Sequence, residues 1–356
     1  MSSRNIPAQI GRAVIALLAV GALAGQAGVV WAANWVVDHH QWVADRAIAL
    51  QFEPGPELAE YAEKVQFTAE GEIYFYASRP QVVPALEFDN YCSRNEPGIG
   101  VLGCYRLQEQ RIYLYDVTDE RLSAMEPVIA AHETLHAVWD RFDRTTKDDL
   151  AVLLEEGFAQ LPDEHPLRER IVSYEEYDPN SRIPELYALL GTEAEVLPAA
   201  LEAHYANYFT DRQRVVALAA EVYGIFDSFG AELDSLVADL DARLVVINSK
   251  KARYELDAEI LGADIAIYND RVSRYNDGED IDGAENFDTE QANLIQRQDT
   301  LRTERQEIEG LIDEYNALLD ELNTLNQELT ELNQGINITL EAEEELDDID
   351  TVEQAS

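Results

Sequence analysis

The sequence predicts an α+β domain with a small sheet and a helical lobe, preceded by a transmembrane helix and followed by a long antiparallel coiled-coil hairpin. Three observations carry this prediction: an uncharged stretch near the N-terminus, an alternating strand followed by a run of helical segments, and a seven-residue repeat in the last third. The expected divisions are 1–37 for a cytoplasmic stub and membrane anchor, 38–230 for the α+β domain, 231–340 for the hairpin and 341–356 for an acidic disordered tail.

The chain is strongly acidic, with 26 Lys and Arg against 70 Asp and Glu in 356 residues and a formal net charge of −44. Only four of the basic residues are lysines. Such a surface repels a phosphate backbone, so we expect no nucleic-acid partner. An acidic surface suits high-salt surroundings, where screening weakens self-repulsion, but it also simply keeps a protein soluble.

Residues 13–37 carry no charged side chain and are long enough to cross a bilayer as a helix. Arg4 and Arg12 precede this stretch and Asp38 follows it, so the positive-inside rule places the N-terminus in the cytoplasm and the main domains outside. The alternative is a signal peptide cleaved after the A-x-A sequence at 22–24, which would give a secreted protein. Both interpretations export the rest of the chain.

Cys92 and Cys104 are the only cysteines. An even number in an exported domain predicts a disulfide, and two free thiols are the alternative. The segment between them contains one proline and three glycines, so the bridge would close a loop. Closing so short a loop stabilises the fold by about 2–3 kcal/mol.

The α+β domain is expected to begin with helical segments over 38–70. Strands are predicted at 72–76, which is aromatic and β-branched, and at 111–117, where apolar and polar residues alternate. A Ser-x-x-Glu capping box at Ser123 predicts the start of a helix that runs to Phe142. Further helices are expected at 146–161, 164–176, 184–197, 199–209 and 211–228.

The last third carries apolar residues at every seventh position, from Leu233 to Tyr275 and again from Leu294 to Ile336. An acidic loop separates the two series. Two heptad helices joined by a loop predict an antiparallel coiled-coil hairpin, a surface to which a protein partner could bind. Each arm would be about 60–75 Å long.

The predicted helix at 123–142 contains the sequence His132-Glu133-Thr134-Leu135-His136. Histidines at i and i+4 lie on one helix face, so both imidazoles can bind one ion, and zinc is the expected cofactor. Glu133 lies on the neighbouring part of that face, where it would act as general base on a metal-bound water. Zinc would lower the pKa of that water and polarise a carbonyl group.

A catalytic zinc needs a third protein ligand, and Phe142 occupies the position where metzincins have a histidine. Glu193 lies on an apolar helical stripe, where a carboxylate is costly unless it is paired or metal-bound, so it is the preferred candidate. A salt bridge to a buried arginine is the alternative for Glu193. Glu156, in a Glu-Gly-x-Ala turn but on the polar side of its helix, is the competitor, and His165 and His204 remain open.

Several short sequences carry a resemblance: Gly191-Thr192-Glu193, Leu197-Pro198, His204-Tyr205 and Tyr208-Phe209. Together with the histidine motif, they make about residues 40–340 resemble a group of bacterial envelope-anchored HExxH proteins. The resemblance implies a gluzincin-like, and so zincin-like, metallopeptidase with Glu193 as third zinc ligand. It also implies that His204 or Tyr205 stabilises the tetrahedral oxyanion, and it names no substrate.

We therefore expect a membrane-anchored extracytoplasmic zinc peptidase that hydrolyses an exported protein or a wall peptide. The alternative is a non-catalytic structural or interaction protein of the envelope that uses the hairpin and keeps the metal site as a staple or relic. Glu133 favours the peptidase, since a purely structural site needs no base.

Overall fold

A computed structural model describes residues 33–92 and 102–336, together with Gln26, Val29 and Trp31. The predicted membrane anchor at 13–37 lies mostly outside these residues, and the predicted acidic tail lies entirely outside them. Within the described part of the chain, no helix is both long and apolar enough to cross a membrane.

The chain divides into two compact units, one containing the described residues up to Val222 and the other Tyr223–Gln334. The division falls inside a single helix, α10, which spans Arg212–Asn276. The boundary predicted between residues 230 and 231 lies further along that helix. A continuous helix has no turn or break at which the sequence could mark the boundary between the two units. The predicted boundary instead marks the start of the heptad repeat at Leu233.

The first unit is mainly helical and contains one small sheet, which confirms the α+β class. Its elements are α1 His40–Gln51, α2 Pro56–Val65, α3 Ala69–Ala77, β1 Gln81–Val83, α4 Ala85–Phe88, β2 Gly103–Arg106, β3 Arg111–Tyr115, α5 Met125–Arg141, α6 Arg144–Gln160, α7 Pro166–Tyr177, α8 Arg182–Glu193 and α9 Ala199–Tyr205, with the start of α10.

The sheet has the order β1-β3-β2, with β1 parallel and β2 antiparallel to the central strand β3. The strand predicted at 111–117 is confirmed as β3. Although the alternation along this strand is typical of a half-buried one, Ile112, Tyr113 and Leu114 are all buried, because β3 is the central strand of the sheet. Because β3 is the central strand, β2 forms one edge of the sheet, and this edge lies beside helix α5.

The strand predicted at 72–76 is wrong, since these residues belong to helix α3. The Thr68 side chain accepts a hydrogen bond from the Gly71 backbone N–H and caps this helix. Phe75 is completely buried, while its neighbours Tyr74 and Tyr76 are partly buried. A short aromatic run suits a strand or a buried helix equally well, and here the cap decides.

The motif helix α5 begins at Met125, and the predicted capping box does not form. Ser123 ends a short 3-10 turn instead, and the Glu126 carboxylate accepts a bond from the Val117 backbone N–H at 3.1 Å. Glu126 thereby ties the start of α5 to the chain that leaves β3.

Helix α5 lies at the centre of the first unit, against α2, α3, α8 and the sheet. Its contact with α8 is very close at Gly191. A Cβ atom at that position would lie 2.4 Å from Leu135 Cδ1 and 2.8 Å from Tyr205 Cε1. Only glycine therefore allows the two helices to approach to this distance.

The second unit consists of the rest of α10 and helix α11, Phe287–Ile336, except for the last two residues of α11, so the two long helices of the prediction are confirmed. Ion pairs join the two helices in antiparallel order, because later residues of α10 pair with earlier residues of α11. The pairs are Arg243–Glu314, Lys250–Glu307, Asp264–Arg297 and Arg271–Glu290. Heptad residues Leu240, Ile247, Leu261 and Ile308 are buried.

We expect Gly191→Ala to destabilise the protein by about 1–3 kcal/mol, because the added methyl group overpacks the contact with Leu135 and Tyr205. Gly224→Ala is the control: it also lies within a helix, but nothing is within 4 Å of its added Cβ. That change should stabilise by about 0.5–1 kcal/mol. Thermal unfolding of the full chain, followed by circular dichroism, compares them. Equal melting of the two variants would contradict the close approach of α5 and α8.

Candidate metal centre

Helix α5 presents His132 and His136 on the same face, one turn apart. Their Nε2 atoms are 3.0 Å apart, and both side chains are mostly buried, with 15% and 16% of their surface exposed. Both rings therefore direct the same nitrogen toward one point, as the i, i+4 spacing predicts.

The third group at this point is Glu185, in the first turn of α8. Its Oε2 lies 3.5 Å from His132 Nε2, and its Oε1 lies 3.3 Å from His136 Nε2. Zinc bonds of about 2.0–2.1 Å in a tetrahedron place neighbouring donor atoms about 3.3 Å apart, which these distances match. Three protein donors leave one tetrahedral position open, the arrangement of a catalytic rather than a structural zinc site.

Burial alone would raise the pKa of the Glu185 carboxyl, but His136 and His132 hold it well below its usual range. The two histidines thus favour the ionised carboxylate, which is the form that binds a metal ion. Two groups of three potential ligands occur among the described residues, and only this one contains histidine. The other, Glu57, Asp116 and Glu126, consists of carboxylates alone.

Glu133 lies beside the two histidines and is buried, with 6% of its surface exposed. Burial raises the pKa of its carboxyl, while His132 and His136 oppose the shift. A hydrogen bond from the Tyr105 backbone also reaches this carboxylate. A raised pKa brings a carboxyl group closer to the range in which it can both accept and donate a proton.

The edge strand β2 lies directly against Glu133. A Cβ atom at Gly103 would be 2.9 Å from Glu133 Cγ and 3.0 Å from its Oε1, so glycine is needed where the strand passes. The Tyr115 N–H donates to the Leu102 carbonyl, and bonded pairs alternate along an antiparallel ladder. The backbone groups of Gly103 and Tyr105 consequently point away from β3, toward the site.

The disulfide Cys92–Cys104 is confirmed, with 5.8 Å between the two Cα atoms. Cys104 is the second residue of β2, so the bridge ties the edge strand to the chain that follows α4. The bridge thereby holds the strand that lines the site.

A cleft of about 340 Å³ opens onto these residues. The three motif residues and Glu185 form its base, and β2 forms one side. Its other lining side chains include Trp139, Lys147 and Tyr174. The volume lies at the lower end of the range for sites that bury small ligands or a few peptide residues.

Glu193, the preferred third ligand in the sequence, is not beside the histidines. It ends α8 and pairs with Arg170 at 2.5 Å, which is the salt-bridge alternative. Glu185 lies eight residues earlier, two turns along the same helix. Glu185 precedes Leu189 of the apolar stripe by four residues. This helical spacing is the sequence feature that could have identified Glu185 as a candidate ligand.

The other candidate ligands are also elsewhere. Glu156 is exposed on α6. His165 caps the start of α7, where its Nδ1 accepts a bond from the Leu167 backbone N–H at 3.2 Å. Neither residue lines the cleft.

The prediction that His204 or Tyr205 stabilises an oxyanion does not agree with their positions, because neither lines the cleft. His204 Nε2 lies 2.9 Å from the Tyr187 hydroxyl, and burial lowers the pKa of His204 to about 4. The fully buried Tyr205 donates its hydroxyl proton to the Tyr187 carbonyl at 2.7 Å. Both side chains instead hold α9 against α8.

No protein-family model, curated protein or solved structure matches the chain. The resemblance to envelope-anchored HExxH proteins therefore stays a prediction. The geometry of the site is therefore the basis for inferring its function.

We expect Glu185→Ala to abolish stoichiometric zinc binding, because two histidines and water are too few ligands for a catalytic zinc site. Glu193→Ala should keep the metal and lose only its ion pair with Arg170. Glu156→Ala should change neither property, since the residue is solvated. Zinc per chain after dialysis, measured on the three variants together, provides the test. Loss of zinc from Glu193→Ala but not from Glu185→Ala would contradict the assignment.

Proposed function

We propose that this protein is a zinc-dependent peptidase that hydrolyses peptide bonds with a metal-activated water. One observation carries the proposal: His132, His136 and Glu185 converge within 3.5 Å beside the buried carboxylate of Glu133, at the base of an open cleft. A zincin-like fold is part of the same proposal, supported by the position of the motif helix beside the edge of the sheet.

Bound zinc would supply a Lewis acid and lower the pKa of a water molecule in the open position. Glu133 would accept the proton of that water and later deliver it to the leaving amine. The outward backbone groups of Gly103 and the Tyr105 carbonyl would align an extended substrate along β2, as in β-strand addition. The Tyr105 hydroxyl is fixed by Asp140 at 2.9 Å, so the strand presents a rigid edge.

A purely structural role for this cluster explains Glu133 poorly. Among the residues described, no lysine or arginine forms an ion pair with it, although its carboxylate is buried. A buried carboxylate without a cationic partner costs stability, and such groups concentrate at functional sites. The two histidines and Glu185 would hold a metal without it.

We further propose that the site acts outside the cytoplasm, on an exported protein or a wall peptide. The Cys92–Cys104 bridge supports this location, because disulfides persist in oxidising compartments. The uncharged segment 13–37 would anchor the chain as a single membrane span, or direct its secretion if it is cleaved.

A second candidate function is that of an interaction protein of the envelope that uses the hairpin. Apolar side chains that face water on the second unit favour it, among them Val245 with 70%, Ile267 with 59% and Leu256 with 57% of their surface exposed. Exposed apolar surface marks many interaction sites. This function is compatible with a peptidase that positions its substrate or partner through the hairpin.

We expect Glu133→Gln to retain about one zinc per chain, because both histidines and Glu185 remain. Its hydrolysis of a casein-type substrate should fall by a factor of about 100 to 10,000, the usual contribution of a general base. Glu156→Gln, an exposed change of the same kind, is the control and should keep full activity. Chelator-resistant hydrolysis, or unchanged activity of Glu133→Gln, would contradict the proposed function.

A further inference from the structure

Lys147 brings a positive charge into the cleft beside the candidate metal centre. It lies in the first turn of α6, and its Nζ is 3.4 Å from the backbone oxygen of Asp140 at the end of α5. The same ammonium lies 5.8 Å from the centre of the Trp139 ring. Both neighbours line the cleft, so Lys147 is held at its wall by α5.

The charge of Lys147 has no carboxylate partner among the described residues. Lys64 and Lys250, by contrast, pair with acidic side chains at 2.8 and 3.0 Å. Lys251 has no ion pair with a described residue either, but it is exposed on α10, whereas Lys147 is half-buried in the wall of the cleft. Lys147 is also the one lysine or arginine among the cleft-lining residues that the structure describes.

The acidic side chains of the cleft are engaged elsewhere. Asp140 accepts hydrogen bonds from the Tyr105 hydroxyl at 2.9 Å and from Gln110 at 3.4 Å. Glu185 faces the two histidines, and Glu133 lies against β2. The ammonium is therefore available to a group that enters the cleft.

The position of Lys147 also sets the part of a substrate that it can reach. Asp140 follows His136 by four residues, or about 6 Å along the helix axis. An extended peptide advances about 3.3 Å per residue. The ammonium is then within reach of a substrate group one or two residues from the bond that lies at the metal.

We propose that Lys147 binds a carboxylate of the substrate and so gives the cleft a preference for peptides with an anionic group near the cleaved bond. This inference rests on the proposed peptidase function. An ammonium and a carboxylate form a charge-assisted hydrogen bond, which the partly enclosed wall beside Trp139 strengthens. The general negative charge of the chain acts at longer range and is screened beyond about 8–10 Å in physiological salt.

Such a carboxylate can be an Asp or Glu side chain or the C-terminus of the peptide, and three peptides with one common core distinguish these sources. The first carries an acidic side chain next to the core and an amidated C-terminus. The second is neutral with a free C-terminal carboxylate two residues from the core, and the third is neutral and amidated.

The full-length zinc-loaded protein is compared with Lys147→Met, Lys147→Glu and the control Lys64→Met, whose lysine lies outside the cleft. We expect the wild type and Lys64→Met to prefer one or both carboxylate peptides over the neutral one. Lys147→Met should lose about tenfold in kcat/KM on the preferred peptide and little on the neutral one, as for one hydrogen bond to a charged group. Lys147→Glu should lose more.

Binding of the same labelled peptides to zinc-loaded Glu133→Gln, measured by fluorescence anisotropy, separates this inference from the proposed function. Chelator-sensitive hydrolysis that is equally fast on all three peptides overturns the inference but agrees with the proposed peptidase function. The same conclusion follows if Lys147→Met and Lys64→Met change the hydrolysis equally. Lys147-dependent binding of carboxylate peptides without any hydrolysis supports the inference about the ligand and overturns the peptidase. Absence of both hydrolysis and Lys147-dependent binding overturns both.

Discussion

The close crossing of α5 and α8 is the constraint on which the site depends. Leu135 packs into the space that a side chain at Gly191 would fill, and this contact fixes where one helix lies along the other. It places Glu185, two turns before the C-terminal end of α8, opposite His132 and His136. Tyr187 then packs against Trp139 with 5.2 Å between ring centres, so the same crossing shapes the cleft wall.

The far end of the motif helix is held by charge rather than by close packing. Arg141 and Asp45 form a buried ion pair at 2.8 Å, and Arg141 also donates to the Tyr105 hydroxyl at 3.2 Å. One side chain therefore connects α5, α1 and the edge strand β2. Such a pair costs desolvation when it forms, yet removing one partner leaves a buried charge, so its role is to fix geometry.

Local patterns were enough to predict much of this molecule. The histidine motif, strand β3, the disulfide and the two heptad helices each depend on spacing within a short segment. The third candidate ligand could not be predicted in the same way. Glu185 and Glu193 lie on one helix, and the crossing point at Gly191, a tertiary contact, decides which of them meets the histidines. Helix α3 was missed because its aromatic run fits either kind of element.

We propose that His132, His136 and Glu185 bind one zinc ion next to Glu133. Anomalous diffraction at the zinc absorption edge, from crystals of the zinc-loaded full chain, tests it most directly. We expect one strong peak about 2.0–2.1 Å from the two Nε2 atoms and about 2.0–2.2 Å from a Glu185 oxygen. A peak ligated by Glu193 or by other side chains, or no peak at the two histidines, would contradict it.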